Sequence, residues 1–231
     1  MRWVMLDTET TGLRVEEGHR LIEIGCIECI DRRITDRTFH VTLNPEREID
    51  EGATQVHGMT WDQLKDKPFF SDIASGLIEF VQGAEVVIHN AEFDRGFLDE
   101  ELKRAGLQPF SGYCSRLTDS LSHARELHPG QRNSLDALCQ RYGIANDHRV
   151  LHGALLDARL LAEVYLAMTR GQEALLISAE DDDDAREMGA ALESSGLIVR
   201  RANEEERLAH EASLQEIDRV SGGRRLWPHQ A

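Results

Sequence analysis

Asp7 and Glu9 stand one residue apart in Val4-Met5-Leu6-Asp7-Thr8-Glu9-Thr10-Thr11-Gly12, at the end of an apolar run. Successive side chains of a strand alternate between faces, so both carboxylates point the same way. Two acids on one face repel each other, and a bound cation relieves that repulsion. Ligands that are all oxygen favour Mg²⁺ or Mn²⁺. The pair has the chemistry of one half of a two-metal hydrolytic site.

Two further segments complete it. In Val87-Ile88-His89-Asn90-Ala91-Glu92-Phe93-Asp94, a short apolar run leads into a helix with Asp94 in its first turn. A helix N-terminus favours a carboxylate there. In His152-Gly153-Ala154-Leu155-Leu156-Asp157, five helical residues turn about 500°, so His152 and Asp157 would not share a face of one helix. Gly153 offers another arrangement, with His152 in the preceding loop and Asp157 in the first turns. Four carboxylates (Asp7, Glu9, Asp94 and Asp157) suffice to hold two divalent ions, and a histidine with a pKa near neutrality suits a general base. His89 reads as a structural residue beside the sheet.

The elements that must position these residues follow from the apolar pattern. Strands are expected over 3–6, 21–30 and 34–43, with Asp31-Arg32-Arg33 as a hairpin turn, and over 85–89. Helices are expected over 71–82, from an Asn90 cap to about Ala105, from an Asn133 or Ser134 cap to Gly143, and over 153–169. Hairpin strands followed by a strand–helix unit and more helices indicate an α/β layer with a mixed sheet.

The 231 residues are 41% hydrophobic, in the range of a globular chain. No apolar run is long enough to cross a bilayer, and the motif begins too early for a signal peptide. A cytoplasmic protein without membrane contact is expected. Cys26 and Cys29 have knuckle spacing, yet three residues along a strand place them on opposite faces. They read as buried free thiols. The formal charge of −16 argues against nucleic-acid binding by a basic surface, so such chemistry would need metal ions and a partner to hold the polymer.

The order Asp7-x-Glu9, Asp94, His152, Asp157 resembles the DEDD-type 3′→5′ exonucleases with a catalytic histidine. Longer stretches, from Arg132 to Cys139 and from His152 to Thr169, with Val56-His57-Gly58 and Thr118-Asp119-Ser120-Leu121, are similar to the proofreading epsilon subunits of bacterial DNA polymerase III. The likeness spans residues 1–170 nearly continuously. It implies an RNase H-like fold, a five-stranded mixed sheet flanked by helices. It also implies two Mg²⁺ or Mn²⁺ ions and release of mispaired 3′-terminal nucleotides as 5′-monophosphates. Thr10 to Gly12 would approach the terminal nucleotide of a DNA 3′ end, and Val56 and His57 its base.

The resemblance also divides the chain. Residues 1–171 would be the exonuclease domain, 172–196 a clamp-binding peptide and acidic linker, and 197–231 a C-terminal interaction tail docking on the polymerase alpha subunit. Gln172 and Leu175 match a sliding-clamp peptide in spacing, and a small theta-type subunit is a further expected partner. In the tail, 197–201 reads as a short strand, Asn203 as the cap of a charged helix, and Trp227 as an anchor. Two other readings stay open at this point: a stand-alone RNA 3′→5′ exonuclease, and a catalytically silent polymerase scaffold.

Overall fold

The computed structural model describes residues 1–146, 151–170 and 202–221. Three long strands come first: β1 (Arg2–Thr10), β2 (Leu21–Ile30) and β3 (Arg33–Thr42). Asp31 and Arg32 take φ of 47° and 63°, the two left-handed positions of a tight hairpin turn between β2 and β3. Next come α1 (Glu51–His57), α2 (Trp61–Leu64), α3 (Phe70–Val81), β4 (Glu85–Ile88) and α4 (Ala91–Arg104). The chain continues through β5 (Arg116–Asp119), α5 (Ser120–Leu127), α6 (Leu135–Tyr142) and α7 (Ala154–Met168).

The sheet order is β3-β2-β1-β4-β5. β1 pairs antiparallel with β2 and parallel with β4, and β5 adds parallel to β4. This is the expected RNase H-like mixed five-stranded sheet. Each face carries its own core. One gathers Leu6, Ile24, Cys26, Leu77, Leu98 and Leu102, and the other gathers Trp3, Met5, Cys29, Leu138, Leu161 and Val164. Cys26 and Cys29 thus lie on opposite faces as buried free thiols. Along β1, Trp3 and Met5 face the α6–α7 layer, so Asp7 and Glu9 follow onto that side by the two-residue period.

Several expectations need correction. β1 runs on to Thr10, because Asp7 to Glu9 keep the pairing register of the apolar residues before them and Thr10 still pairs with β2 after a one-residue register shift. Asn90 precedes α4 but does not cap it with its side chain. Its φ is 70°, and its backbone N–H donates to Asp119 Oδ1 at 3.0 Å. Ser134, not Asn133, caps α6, through Ala137 N–H. The apolar periodicity gives no signal for helices α1, α2 and α5 or for strand β5. β5 is four residues with no buried side chain, which leaves little apolar signal.

The helix Glu204–Ser221 belongs to a separate unit of the chain. Asn203 Oδ1 accepts from Glu206 N–H at 2.8 Å while Glu206 Oε2 accepts from Asn203 N–H at 2.9 Å, a reciprocal cap as expected. None of its residues is buried within the unit. Gln172, Leu175, the acidic run, the expected strand over 197–201 and Trp227 lie outside the described residues.

Candidate active site

A cavity of about 620 Å³ at the C-terminal end of β1 is lined by Asp7, Glu9, Asp94, His152 and Asp157. Segments separated by up to 150 residues of chain thus meet in one place. The two β1 carboxylates come up from the sheet floor. Asp94 arrives from the other layer, over the end of the parallel β4, and its Oδ1 accepts from Thr8 Oγ1 at 2.7 Å. Asp157 projects from the first turn of α7 and is 2% exposed. Gly153 is extended (φ −151°, ψ 128°) just before α7, and His152 sits ahead of it in the loop. Its Nδ1 lies 3.4 Å from Asp157 Oδ2. The geometry of the His152-Gly153 step is therefore as expected.

Electrostatics make this cluster expensive without a cation. Glu9, Asp94 and Asp157 are all buried, and buried carboxylates need compensation. Burial pushes the Asp94 carboxyl up to about 7, against the pull of the Thr8 hydroxyl and backbone hydrogen bonds. A divalent cation beside it would restore the charged form. Ligand atoms of Glu9, His152 and Asp157 already lie within 4.8 Å of one another. The donor set is dominated by carboxylate oxygen, which suits Mg²⁺ or Mn²⁺.

Thr10, Gly12, Val56 and His57 are not among the cavity-lining residues. Thr10 Oγ1 donates to Gly12 carbonyl at 2.7 Å, closing the turn after β1. A Cβ on Gly12 would fall 2.3 Å from the His19 ring, so the position is held by packing. His57 is buried at the end of α1, where burial lowers its pKa, and its Nδ1 accepts from Met59 N–H at 3.0 Å. Val56 is half-exposed, and its carbonyl accepts from the backbone N–H of His152 at 3.1 Å. The α1 terminus therefore braces the histidine loop.

Sequence reasoning missed other lining residues. His89 lines the cavity with its Nδ1 2.9 Å from Ser120 Oγ, rather than serving only the sheet. Arg125, Gln131, Asn133 and Ser134 also line it. The Thr118–Leu121 and Arg132–Cys139 stretches marked their neighbourhood, but α5 has too short an apolar stripe to be read.

Solved structures share this fold. The nuclease domain of 3′hExo, described as a DEDDh family member bound to rAMP, superposes with a TM-score of 0.64 at 17% identity, over 74% of this chain and 92% of that one. Exonuclease X in complex with 5′ overhanging duplex DNA gives a TM-score of 0.56 at 26% identity, over 73% of this chain and 92% of that one. Residues 4–165 match the RNase T family, described as exonuclease. The class is therefore set: the protein is a 3′→5′ exonuclease.

Similarity extends well beyond that domain. The DNA polymerase III subunit epsilon of Salmonella typhimurium is 46% identical over 98% of this chain and 97% of its own length. That of Haemophilus influenzae is 42% identical over 98% and 94%. The chain belongs to the DNA polymerase III epsilon family, the proofreading exonuclease subunits.

Proposed function

We propose that Asp7, Glu9, Asp94 and Asp157 hold two Mg²⁺ or Mn²⁺ ions and that His152 is the general base. A bound pair of such ions supplies a water of lowered pKa and stabilises the leaving oxygen of a phosphodiester. The chain's own contribution is geometric. β1 fixes Asp7 and Glu9 on the floor, Thr8 orients Asp94, and Asp157 stands against His152 Nδ1. That contact favours the tautomer with its proton on Nδ1, leaving Nε2 to take a proton from the attacking water. His152 is 43% exposed at the side chain, so it faces the solvent from which that water comes.

The substrate in this reading is a DNA 3′ end, single-stranded or frayed, with Thr10, Gly12, Val56 and His57 flanking the terminal nucleotide. Arg125 in the cavity lining supplies a cation for a phosphate. The negative net charge implies that other subunits hold the duplex. Residues 172–196 would carry the clamp peptide (Gln172, Leu175), and 197–231 with Trp227 would dock on the alpha subunit. A theta-type subunit would be a further partner. No helix among the described residues is long and apolar enough to cross a membrane, and the reading places the protein in the cytoplasm with the replication machinery.

The carrying observation is the convergence of Glu9, His152 and Asp157 ligand atoms within 4.8 Å beside Asp7 and Asp94. The test uses a 3′-labelled strand, as DNA and as RNA, with Mg²⁺ or Mn²⁺. Metal-dependent release of mononucleotide from DNA, abolished by Asp7→Ala, supports it. Preferential release from RNA overturns the substrate assignment. Removal of residues 178–231 is expected to abolish alpha-subunit binding while sparing single-strand hydrolysis.

A further inference from the structure

Across the sheet from the two β1 acids stand two β2 residues that the reaction does not call for. Glu23 lies opposite Glu9, and Gly25 lies opposite Asp7. Directly opposed residues share a face, so both sit under the first turn of α7. A Cβ on Gly25 would fall 2.3 Å from Ala154 C and Leu155 N, so α7 is seated on bare strand backbone.

That seating creates a problem which Glu23 answers. A helix start leaves backbone N–H groups without helical partners. The position before α7 is Gly153, which has no side chain to cap them. Ala154 N–H is fully buried and donates to Glu23 Oε2 at 3.0 Å, across 131 residues of sequence. Glu23 Oε1 meets His40 Nε2, on the edge strand β3, at 2.6 Å. Glu23 is 7% exposed and does not line the cavity, and each of its oxygens engages a protein nitrogen. It is a cap delivered by the sheet, not a fifth ligand.

We infer that Glu23, held by His40, is a positioning residue that clamps the N-terminus of α7 and thereby sets His152 and Asp157 against Glu9. The inference rests on the site roles proposed above. The helix dipole adds to the hold, since a carboxylate is favoured at that end. Removing the clamp frees the helix start to shift while leaving the β1 acids in place. Outer-shell partners of this kind are worth about 10–100-fold in activity or metal affinity.

The experiment is steady-state hydrolysis of a 3′-labelled single strand by the full chain with Mn²⁺, alongside Mn²⁺ binding by EPR. Glu23→Ala is expected to lower kcat by about 10–100-fold with KM within about twofold, and to weaken Mn²⁺ binding. Glu23→Gln, whose carbonyl still accepts from Ala154 N–H, is expected to stay within about threefold of wild type, because the hydrogen bond is kept. His40→Ala is expected to show a smaller loss in kcat than Glu23→Ala. A folded Glu23→Ala protein with wild-type kcat overturns the inference, as does equal damage in the Ala and Gln variants. If Glu23→Ala does not fold, Glu23→Asp replaces it. The Asp side chain is one methylene too short to reach the amide, so a wild-type kcat there is equally fatal. Failure of the site reading itself looks different: wild type would then show no hydrolysis that depends on metal and on Asp7.

Discussion

Asp7 and Glu9 are built into the central strand of the sheet, paired with β2 and just beyond the Trp3–Met5 stretch that pairs with β4. His152 stands in a loop, tied through its backbone to the Val56 carbonyl and flanked by Asp157. One half of the site is fixed by the sheet ladder, the other by a few contacts at an element end. Carboxylates that share a cation gain from fixed spacing, because geometry must match on all sides at once. A proton acceptor tolerates adjustment, since it meets a water that arrives with the substrate.

Breaking the fixed half should cost most. Asp7→Ala is expected to lower kcat by about a thousandfold or more, as loss of metal-borne charge stabilisation is worth several kcal/mol. Chemical-quench kinetics on a labelled strand measures it. His152→Ala should cost about a hundredfold, the lower end for a general base, with Mn²⁺ binding by EPR retained. Loss of Mn²⁺ binding in that variant would move His152 from base to ligand, which its closeness to Glu9 makes the informative alternative.

Smaller effects sharpen the loop half. Gly58 ends α1 at φ 73°, and a Cβ there would fall 2.5 Å from Leu151 Cδ1, beside His152. Gly58→Ala is expected to cost about 1–2 kcal/mol of stability from the left-handed backbone, read by chemical denaturation, and to lower kcat severalfold through the displaced loop. The last effect is on stability rather than rate, a pH dependence. Asp94 has a pKa of about 7 in the fold against about 3.8 unfolded, so between those values the folded state holds the extra proton. Stability of the metal-free protein therefore falls as pH rises from about 4 to about 7. With Mn²⁺ present the carboxylate form is the one bound, so the stabilisation by metal grows over the same window. Melting curves with and without Mn²⁺ at pH 5 and 7.5 check both signs.

Much of this was legible in the chain. Leu21–Ile30 is an apolar run dense in β-branched residues, and the structure keeps its bounds. The two-residue period along β1 placed Asp7 and Glu9 on one face, and Gly153 freed His152 from the helix. β5 was legible only through family likeness, because Arg116–Asp119 is an edge strand without buried side chains. Helix α1 buries His57 alone and so carries no apolar stripe.

What the sequence by itself determined is the set of candidate residues: four acids, a histidine and the local geometry that presents each one. Those depend on residue type and on neighbours one to five positions away. Only the tertiary structure decided who supports them. Thr8 on Asp94, Val56 on the His152 loop and Glu23 on Ala154 join residues 86, 96 and 131 positions apart. Contacts at such separation leave no periodic trace, because sheet register and helix seating, not local propensity, bring the partners together.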